Sequence, residues 1–209
     1  GAANPDFGTL AAGAQAAVKR EALDRLSRSL GVSSGSLRRL RIGWLADRRA
    51  WGFPMTDAAG AVVGVRLRFP SGKKLSVRGG REALFTPEAL DPGGRLVVCE
   101  GPTDCAAALD WGFSAVGRPS CTGGVGHLVD LARRLAPEET VIVADSDTPG
   151  RRGADALAGQ LVGYVAAVRV IEPPAGAKDA RAWLRAGGTA ADVLATIDAA
   201  PVRRLTIET

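Results

Sequence analysis

The chain has 209 residues, of which 46% are hydrophobic, and a formal net charge of +5. No apolar run approaches the about 20 residues that a membrane span needs, and no basic-then-apolar signal segment is present, so we expect a cytoplasmic protein that contacts no membrane. The single histidine and the three cysteines, which form no Cys-x-x-Cys pair, favour neither a structural zinc site nor a disulfide framework.

The N-terminal part of the chain predicts helices. An alanine-rich stretch over residues 11–30 carries leucines at helical spacing and predicts a helix that ends at Gly31. A serine just beyond it can begin a second, short helix that runs through Leu40. We therefore treat residues 1–50 as a helical N-terminal segment.

From Trp51 the period changes to that of β-strands. Apolar and polar residues alternate in short runs that are separated by turns rich in glycine, proline and aspartate. Arg66 and Arg68 alternate with apolar neighbours, so both arginines are expected on one face of a strand. We predict a small antiparallel sheet with a basic face, in a β-rich subdomain that spans residues 51–92.

The remainder of the chain alternates between short β-branched runs and helical patterns, which predicts a doubly wound α/β sheet. We expect this domain over residues 93–188, followed by a C-terminal helix and tail over 189–209. The predicted strands lie at 95–99, 114–116, 140–144 and 166–171, and the predicted helices at about 102–111, 126–136, 150–163, 179–186 and 189–199.

Charge is distributed unevenly between the two parts. Residues 1–90 hold 15 Lys and Arg against 7 Asp and Glu, whereas residues 91–209 hold 12 against 15. A basic part joined to an acidic part indicates a polyanionic substrate that is brought to a cation site.

Acidic residues directly follow two of the predicted parallel strands. Glu100 and Asp104 come after the strand at 95–99, and Asp145 and Asp147 come after the next long apolar run. The carboxyl ends of parallel strands meet at one edge of a sheet, where α/β proteins bind their ligands. Carboxylates held together there repel each other, and a hard divalent cation is the usual way to offset that repulsion.

Three motifs resemble those of the TOPRIM domain, which is shared by primases, topoisomerases and some nucleases. Residues 100–104 read Glu-Gly-x-x-Asp, and residues 145–150 read Asp-x-Asp-x-x-Gly. The stretch that begins Lys178-Asp179-Ala180 is similar to the Lys-Asp-Ala-Asn-Glu-x-Leu stretch of primase-type TOPRIM domains. The resemblance covers roughly residues 95–186, with the motifs in the family's order.

This resemblance implies a fold and a set of metal ligands. The fold is a Rossmann-like TOPRIM domain with a mostly parallel sheet, preceded by a small helical and antiparallel-β basic subdomain. Asp145 and Asp147 would hold Mg²⁺ or Mn²⁺, with two ions expected and no zinc, and Glu100 would act as general acid/base or as a further ligand. Asp104 and Asp179 complete the candidate metal set, with Asp104 either a ligand or a supporting helix cap.

A basic segment precedes this domain. Residues 58–81 contain six cationic side chains and no acidic one. They are similar to the basic subdomain of DnaG-type and phage primases, which implies contacts to nucleotide and template, although a solvated charged face is the simpler alternative. The candidate binding residues, with one from the third motif, are Arg66, Arg68, Lys73, Lys74, Arg78, Arg81 and Lys178.

The resemblance implies the RNA-polymerase core of a DnaG-like or phage-type DNA primase, a nucleotidyltransferase that makes short RNA primers from ribonucleoside triphosphates on single-stranded DNA. The chain has neither a zinc-ribbon nor a Walker motif, so a zinc-binding domain and a replicative helicase are expected outside this fragment, in a nucleoid, phage or plasmid replication context. Two alternatives remain: a TOPRIM-type metal-dependent nuclease, and a non-catalytic nucleic-acid-binding module of recombination or repair.

Overall fold

Two four-stranded sheets organise residues 5–206, which are the residues that this computed structural model describes. The first sheet is antiparallel, with the strands in chain order, and three helices precede it. Its elements are α1 (Phe7–Ala16), α2 (Arg20–Leu30), α3 (Ser34–Arg39), β1 (Gly43–Leu45), β2 (Ala50–Thr56), β3 (Val62–Arg68) and β4 (Lys74–Ser76).

The second sheet is parallel, with strand order β6-β5-β7-β8 and helices between its strands. This arrangement confirms the predicted mixed α/β fold class, with a mostly parallel sheet preceded by helices and an antiparallel sheet. Its elements are β5 (Arg95–Glu100), α4 (Pro102–Asp110), β6 (Ser114–Arg118), α5 (Val125–Leu135), β7 (Glu139–Val143), α6 (Thr148–Leu161), β8 (Val168–Ile171), α7 (Ala180–Arg185) and α8 (Ala190–Ala199).

The helix predicted over residues 11–30 is two helices. The first ends at Ala16, and Lys19 is in an extended conformation before α2 begins. The two helices bury their apolar side chains in different clusters: Phe7 of α1 packs beneath the antiparallel sheet, whereas Leu23 of α2 belongs to a larger cluster shared with the parallel sheet. A single straight helix would not supply both cores, so the chain bends between them.

Strand β1 lies within the segment that was predicted to be helical. It pairs with β2 through Gly43 and Gly52 and carries α1 on one side. A Cβ atom on Gly43 would lie 2.5 Å from the backbone carbon of Ala14, so the close packing of α1 on β1 requires a glycine at this position. The predicted segments 1–50 and 189–209 extend beyond the described residues at their outer ends.

A two-residue connection joins the sheets. Leu84 exchanges two backbone hydrogen bonds with Thr56 of β2, at 2.7 and 3.1 Å, and Phe85 exchanges two with Gly117 of β6, at 2.8 and 2.9 Å. Both side chains are buried, Leu84 in the cluster beneath β5–β7 and Phe85 in the cluster that reaches α2. This connection fixes the distance between the sheets and hence the shape of the space between them.

Within residues 5–206, no helix is both long enough and apolar enough to cross a membrane.

Candidate active site

A cleft of about 210 Å³ lies between the two sheets and brings together side chains of opposite charge. Four carboxylates line it from the parallel-sheet side, and cations line it from both sides. The carboxylates are Glu100, Asp104, Asp145 and Asp179, and the cations are Arg66, Arg68, Lys74, Lys178 and Arg181.

The parallel sheet delivers two of these carboxylates to the same edge. Glu100 is the last residue of β5, and Asp145 follows the end of β7 by two residues. The strands are hydrogen-bonded neighbours, with Val98 opposite Ile142, so their carboxyl ends coincide. The edge predicted from the apolar runs is therefore the edge that forms the cleft.

Asp147 lies beside the cleft rather than in its wall. Its side chain accepts a hydrogen bond of 2.7 Å from the Gly150 amide and so caps α6 at its N-terminus. The charge of Asp147 also raises the pKa of both Glu100 and Asp145, which places it within electrostatic reach of the two carboxylates.

Asp104 and Asp179 both accept hydrogen bonds from backbone amides of α7. Asp104, in the first turn of α4, accepts a hydrogen bond of 2.9 Å from the backbone amide of Arg181 in α7. Asp179 caps α7 by accepting a hydrogen bond of 2.7 Å from the Ala182 amide. Its other carboxylate oxygen lies 3.7 Å from Lys178 Nζ. Both carboxylates are buried, so they support the site as well as adding charge to it.

The concentrated negative charge changes the protonation of the site. Burial, followed by the charges of Asp104 and Glu100, raises the pKa of Asp145 to about 7. Burial and the neighbouring Asp179 raise the pKa of Asp104 to about 6. Burial is also the main cause that raises the pKa of Glu100, although Arg118 acts in the opposite direction.

The residues present fit a divalent cation. Burial and four neighbouring carboxylates all raise the pKa of Asp145, so this side chain carries uncompensated negative charge whenever it is ionised. Oxygen ligands of this kind are those that Mg²⁺ and Mn²⁺ prefer. Among residues 5–206, however, no three His, Cys, Asp or Glu side chains are close enough to form a ready-made coordination sphere, so water and substrate oxygens would complete the shell.

The antiparallel sheet supplies the basic wall. Arg66 lies opposite Ser76, and Arg68 opposite Lys74, so the two arginines and Lys74 share one face of β3 and β4. Partial burial and the nearby charge of Arg68 lower the pKa of Lys74, as expected for cations held close together. The other predicted cations, Lys73, Arg78 and Arg81, are exposed and do not line the cleft.

Three site residues were not predicted from the sequence. Arg118 ends β6 in register with Glu100, is buried, and donates a 3.0 Å hydrogen bond from Nε to the Gly123 carbonyl. Arg181 lines the cleft, and Glu82 forms an ion pair with a basic-wall residue. Only the position of Arg118 could have been predicted from the sequence. It follows a short apolar run that was predicted as a parallel strand, and parallel strands end at the same edge of the sheet.

A second, larger pocket of about 580 Å³ adjoins the basic wall and shares Arg68 with the cleft. Trp44 and Trp51 meet edge to face in it, with ring centroids 5.2 Å apart. Lys19 and Arg25 also line the pocket, and none of its lining residues is acidic. The pocket thus combines aromatic surface with positive charge.

Comparison with known proteins bears on the fold. Neither a protein-family model nor a curated protein sequence matches the chain. Solved structures do match the chain. They show that it has the mixed α/β fold of primase catalytic cores. The DnaG primase catalytic domain bound to single-stranded DNA aligns with a TM-score of 0.71 and 19% identity, over 94% of this chain and 78% of that one.

Two further structures have the same fold. The RNA polymerase domain of Mycobacterium tuberculosis DnaG, in complex with a double-stranded DNA oligomer with a 6-nucleotide overhang, aligns with a TM-score of 0.67 and 19% identity, over 94% of this chain and 79% of that one. The primase fragment of the bacteriophage T7 primase-helicase aligns with a TM-score of 0.60 and 17% identity, over 81% of this chain and 72% of that one.

Proposed function

We propose that this chain is the catalytic core of a DnaG-like primase, a nucleotidyltransferase of TOPRIM type that joins ribonucleotides into short primers on single-stranded DNA. One observation carries the proposal: a cleft where carboxylates from the ends of β5 and β7 face the cations of β3 and β4, within the fold of DnaG catalytic cores. Polymerisation of nucleoside triphosphates needs both features, because phosphates must be held while their negative charge is offset.

In this proposal Asp145, Asp147 and Glu100 would hold Mg²⁺ or Mn²⁺, with Asp104 and Asp179 supporting them from beneath. When bound, one or two such ions supply activation of the attacking 3′-hydroxyl and neutralisation of the leaving pyrophosphate. Glu100 lies at the cleft with a raised pKa, so it is placed to accept or return a proton at its carboxylate.

The basic wall would orient the triphosphate. Arg66, Arg68 and Lys74 present charge-assisted donors on one face of β3 and β4. Lys178 and Arg181 approach the same space from the opposite side. Cations on two sides would hold the phosphates against the carboxylate edge and limit their rotation, which lowers the entropic cost of reaction.

The template would cross the second pocket. Trp44, which is partly exposed and packs on the buried Trp51, provides an aromatic face for bases, and Lys19 and Arg25 provide charge for the backbone. Arg68 lines both spaces, so a strand in this pocket would continue into the cleft. A zinc-binding domain or a replicative helicase, if the protein works with one, would act from outside this fragment, in cytoplasmic, phage or plasmid replication.

The decisive experiment incubates the protein with single-stranded DNA, the four ribonucleotides and Mn²⁺. We expect oligoribonucleotide products, and we expect Asp145→Asn to abolish them while leaving the circular dichroism spectrum unchanged. Asp91→Asn, an exposed carboxylate away from the cleft, is the matched control. Shortened DNA in place of new RNA would instead identify a nuclease, and binding without either product would identify a non-catalytic module.

Metal binding is tested separately by calorimetry with Mn²⁺. The variant Asp145→Asn/Asp147→Asn should lose most of the Mn²⁺ affinity of the wild type. Unchanged affinity in the folded double variant would contradict the metal assignment, even if primer synthesis were observed.

A further inference from the structure

An ion pair occupies the rim of the cleft. Arg66 donates a hydrogen bond of 2.9 Å from Nη2 to Glu82 Oε1. The side chain of Arg66 is 19% exposed, whereas that of Glu82 is 57% exposed. The arginine is therefore held inside the wall, and the glutamate reaches it from the solvent side.

The surroundings of Arg66 explain why it needs an anion. It shares one strand face with Arg68 and Lys74, and its charge contributes to lowering the pKa of Lys74. The segment 58–81 contains no acidic residue, and Glu82 is the first one after it. Three neighbouring cations repel each other unless a negative group lies between them, and in the free protein Glu82 supplies one.

The position of Glu82 limits its motion to the side chain. It directly precedes Ala83, Leu84 and Phe85, which are buried and belong to the connection between the sheets. A Cβ atom on Gly123 would lie 3.4 Å from Glu82 Oε2, so the carboxylate lies against the glycine-rich loop. Rotation of the glutamate side chain would free Arg66 without any change in the backbone.

We propose that Glu82 is an exchangeable counter-ion, which holds Arg66 in the free protein and yields it to a phosphate group when a polyanion enters the cleft. The inference rests on the proposed function, because it assumes that phosphates bind to the basic wall. The shared ligand chemistry is a phosphate chain, either the triphosphate of a nucleotide or the backbone of a single strand. Glu82 therefore sets the affinity that a phosphate group needs in order to displace the carboxylate from Arg66.

Replacing the competitor by a neutral side chain should tighten binding. Exposed ion pairs contribute little, so Glu82→Gln should raise phosphate affinity by about two- to five-fold at low salt. The logarithmic salt slope of single-strand binding should change little, because Arg66 contacts the phosphate in both proteins and the number of phosphate contacts is the same. The gain in affinity should vanish in an Arg66→Gln background, where no cation remains to be released.

Glu88→Gln is the matched control. It makes the same change in net charge at another exposed residue, and Glu88 lines a different depression together with Arg41 and Arg134. A general change in the electrostatic field would affect both variants, whereas counter-ion exchange affects only Glu82→Gln. Thermal melting of each variant should show that the fold is retained.

The experiment measures two probes without divalent cations, fluorescent oligothymidylate by anisotropy and inorganic triphosphate by calorimetry. Tighter binding of Glu82→Gln alone, lost in the Arg66→Gln background, supports the exchange; the probe that gains affinity identifies the nucleotide or the strand as the source of the phosphate. Unchanged or weaker binding, an equal gain in Glu88→Gln, or a gain that persists without Arg66 would overturn it. If the wild type bound neither probe, both this inference and the proposed function would fail.

Discussion

At the scale of single residues, the carboxylates of the cleft fall into two groups. Asp104 and Asp179 accept hydrogen bonds from backbone amides, which partly offset the cost of their burial. Burial and four neighbouring carboxylates raise the pKa of Asp145. Its ionised form is therefore destabilised in the free protein, and a bound cation would remove that penalty.

The raised pKa of Asp145 predicts how stability depends on pH in the absence of divalent cations. Because its pKa is about 7 in the folded protein and lower when unfolded, the folded state binds more protons, and stability should fall as pH rises from about 4 to about 7. Asp145→Asn should be more stable than the wild type at pH 8, by about 1–2 kcal/mol after allowance for its half-exposed position.

Urea denaturation in EDTA at pH 5 and pH 8 measures this difference. The residual pH dependence of the variant should reflect Asp104, whose pKa is also raised. Asp91→Asn should behave as the wild type does. An Asp145→Asn curve with the full pH dependence of the wild type would show that Asp145 is not the destabilised carboxylate.

At the scale of elements, strand alternation separates cations that are adjacent in sequence. Lys74 lies opposite Arg68 and lines the cleft, whereas Lys73 precedes the strand and lines neither the cleft nor the second pocket. Lys73 and Lys74, which were both predicted to bind nucleotide or template, are therefore placed differently by the structure. A period of two residues is sufficient to explain the separation.

This separation gives a matched pair of variants. Lys74→Glu should weaken binding of single-stranded DNA about ten-fold or more at low salt and reduce the logarithmic salt slope by about 1, because a phosphate contact is lost. Lys73→Glu makes the same charge change and should have a much smaller effect. Equal losses in a salt titration of both variants would show that only the overall charge of the hairpin matters.

The connection between the sheets is the second determinant at this scale. Phe85 is 2% exposed, and its backbone pairs with Gly117 while its neighbour Leu84 pairs with Thr56. Phe85→Ala should destabilise the protein by about 3–5 kcal/mol, because it leaves a large cavity in the shared core. Phe69→Ala, at a partly exposed position, should cost much less.

Differential scanning calorimetry measures the loss of stability in Phe85→Ala. The number of unfolding transitions is a second part of the prediction. We expect one cooperative transition in Phe85→Ala as in the wild type, since one cluster of buried residues extends from α2 through β2 to α4 and α7. Two separated transitions would mean that the antiparallel and parallel sheets fold independently.

At the scale of the whole molecule, opposite charges are divided between the two sheets. The basic antiparallel part and the acidic parallel part carry opposite net charge, and the cleft forms where they meet. The 209 residues contain one histidine and three cysteines, and these cysteines form no Cys-x-x-Cys pair of the kind typical of structural zinc sites.

For the proposed primer synthesis, we expect this chain on its own to initiate weakly. Supplying a short oligoribonucleotide that is complementary to the template should raise product formation about ten-fold or more above nucleotides alone, because ordering two free nucleotides costs entropy that a joined primer has already paid. A non-complementary oligoribonucleotide is the control. Gel analysis that showed efficient unaided starts at one defined trinucleotide would contradict this prediction and place sequence recognition within residues 1–90.

Much of the fold and part of the site follow from local pattern. Strand and helix periodicity predicted every element of the parallel sheet, because alternation and apolar runs depend only on near neighbours. The carboxylates Glu100 and Asp145 were predicted to meet because parallel strands end at one edge. Interactions between distant segments were not predictable in this way: the bend between α1 and α2 depends on which core each helix packs against.

The tertiary structure alone decided which charges face each other. Asp104 accepts a hydrogen bond from the amide of Arg181, 77 residues away, and Glu82 reaches Arg66 across the rim of the cleft. Neither contact has a local signal, because each joins two elements that meet only when the chain is folded: α4 with α7, and β3 with the segment that precedes Leu84. The sequence determined the inventory of carboxylates and cations, and the packing of elements that are distant in the chain determined their pairing, because pairing depends on contacts that no local pattern specifies.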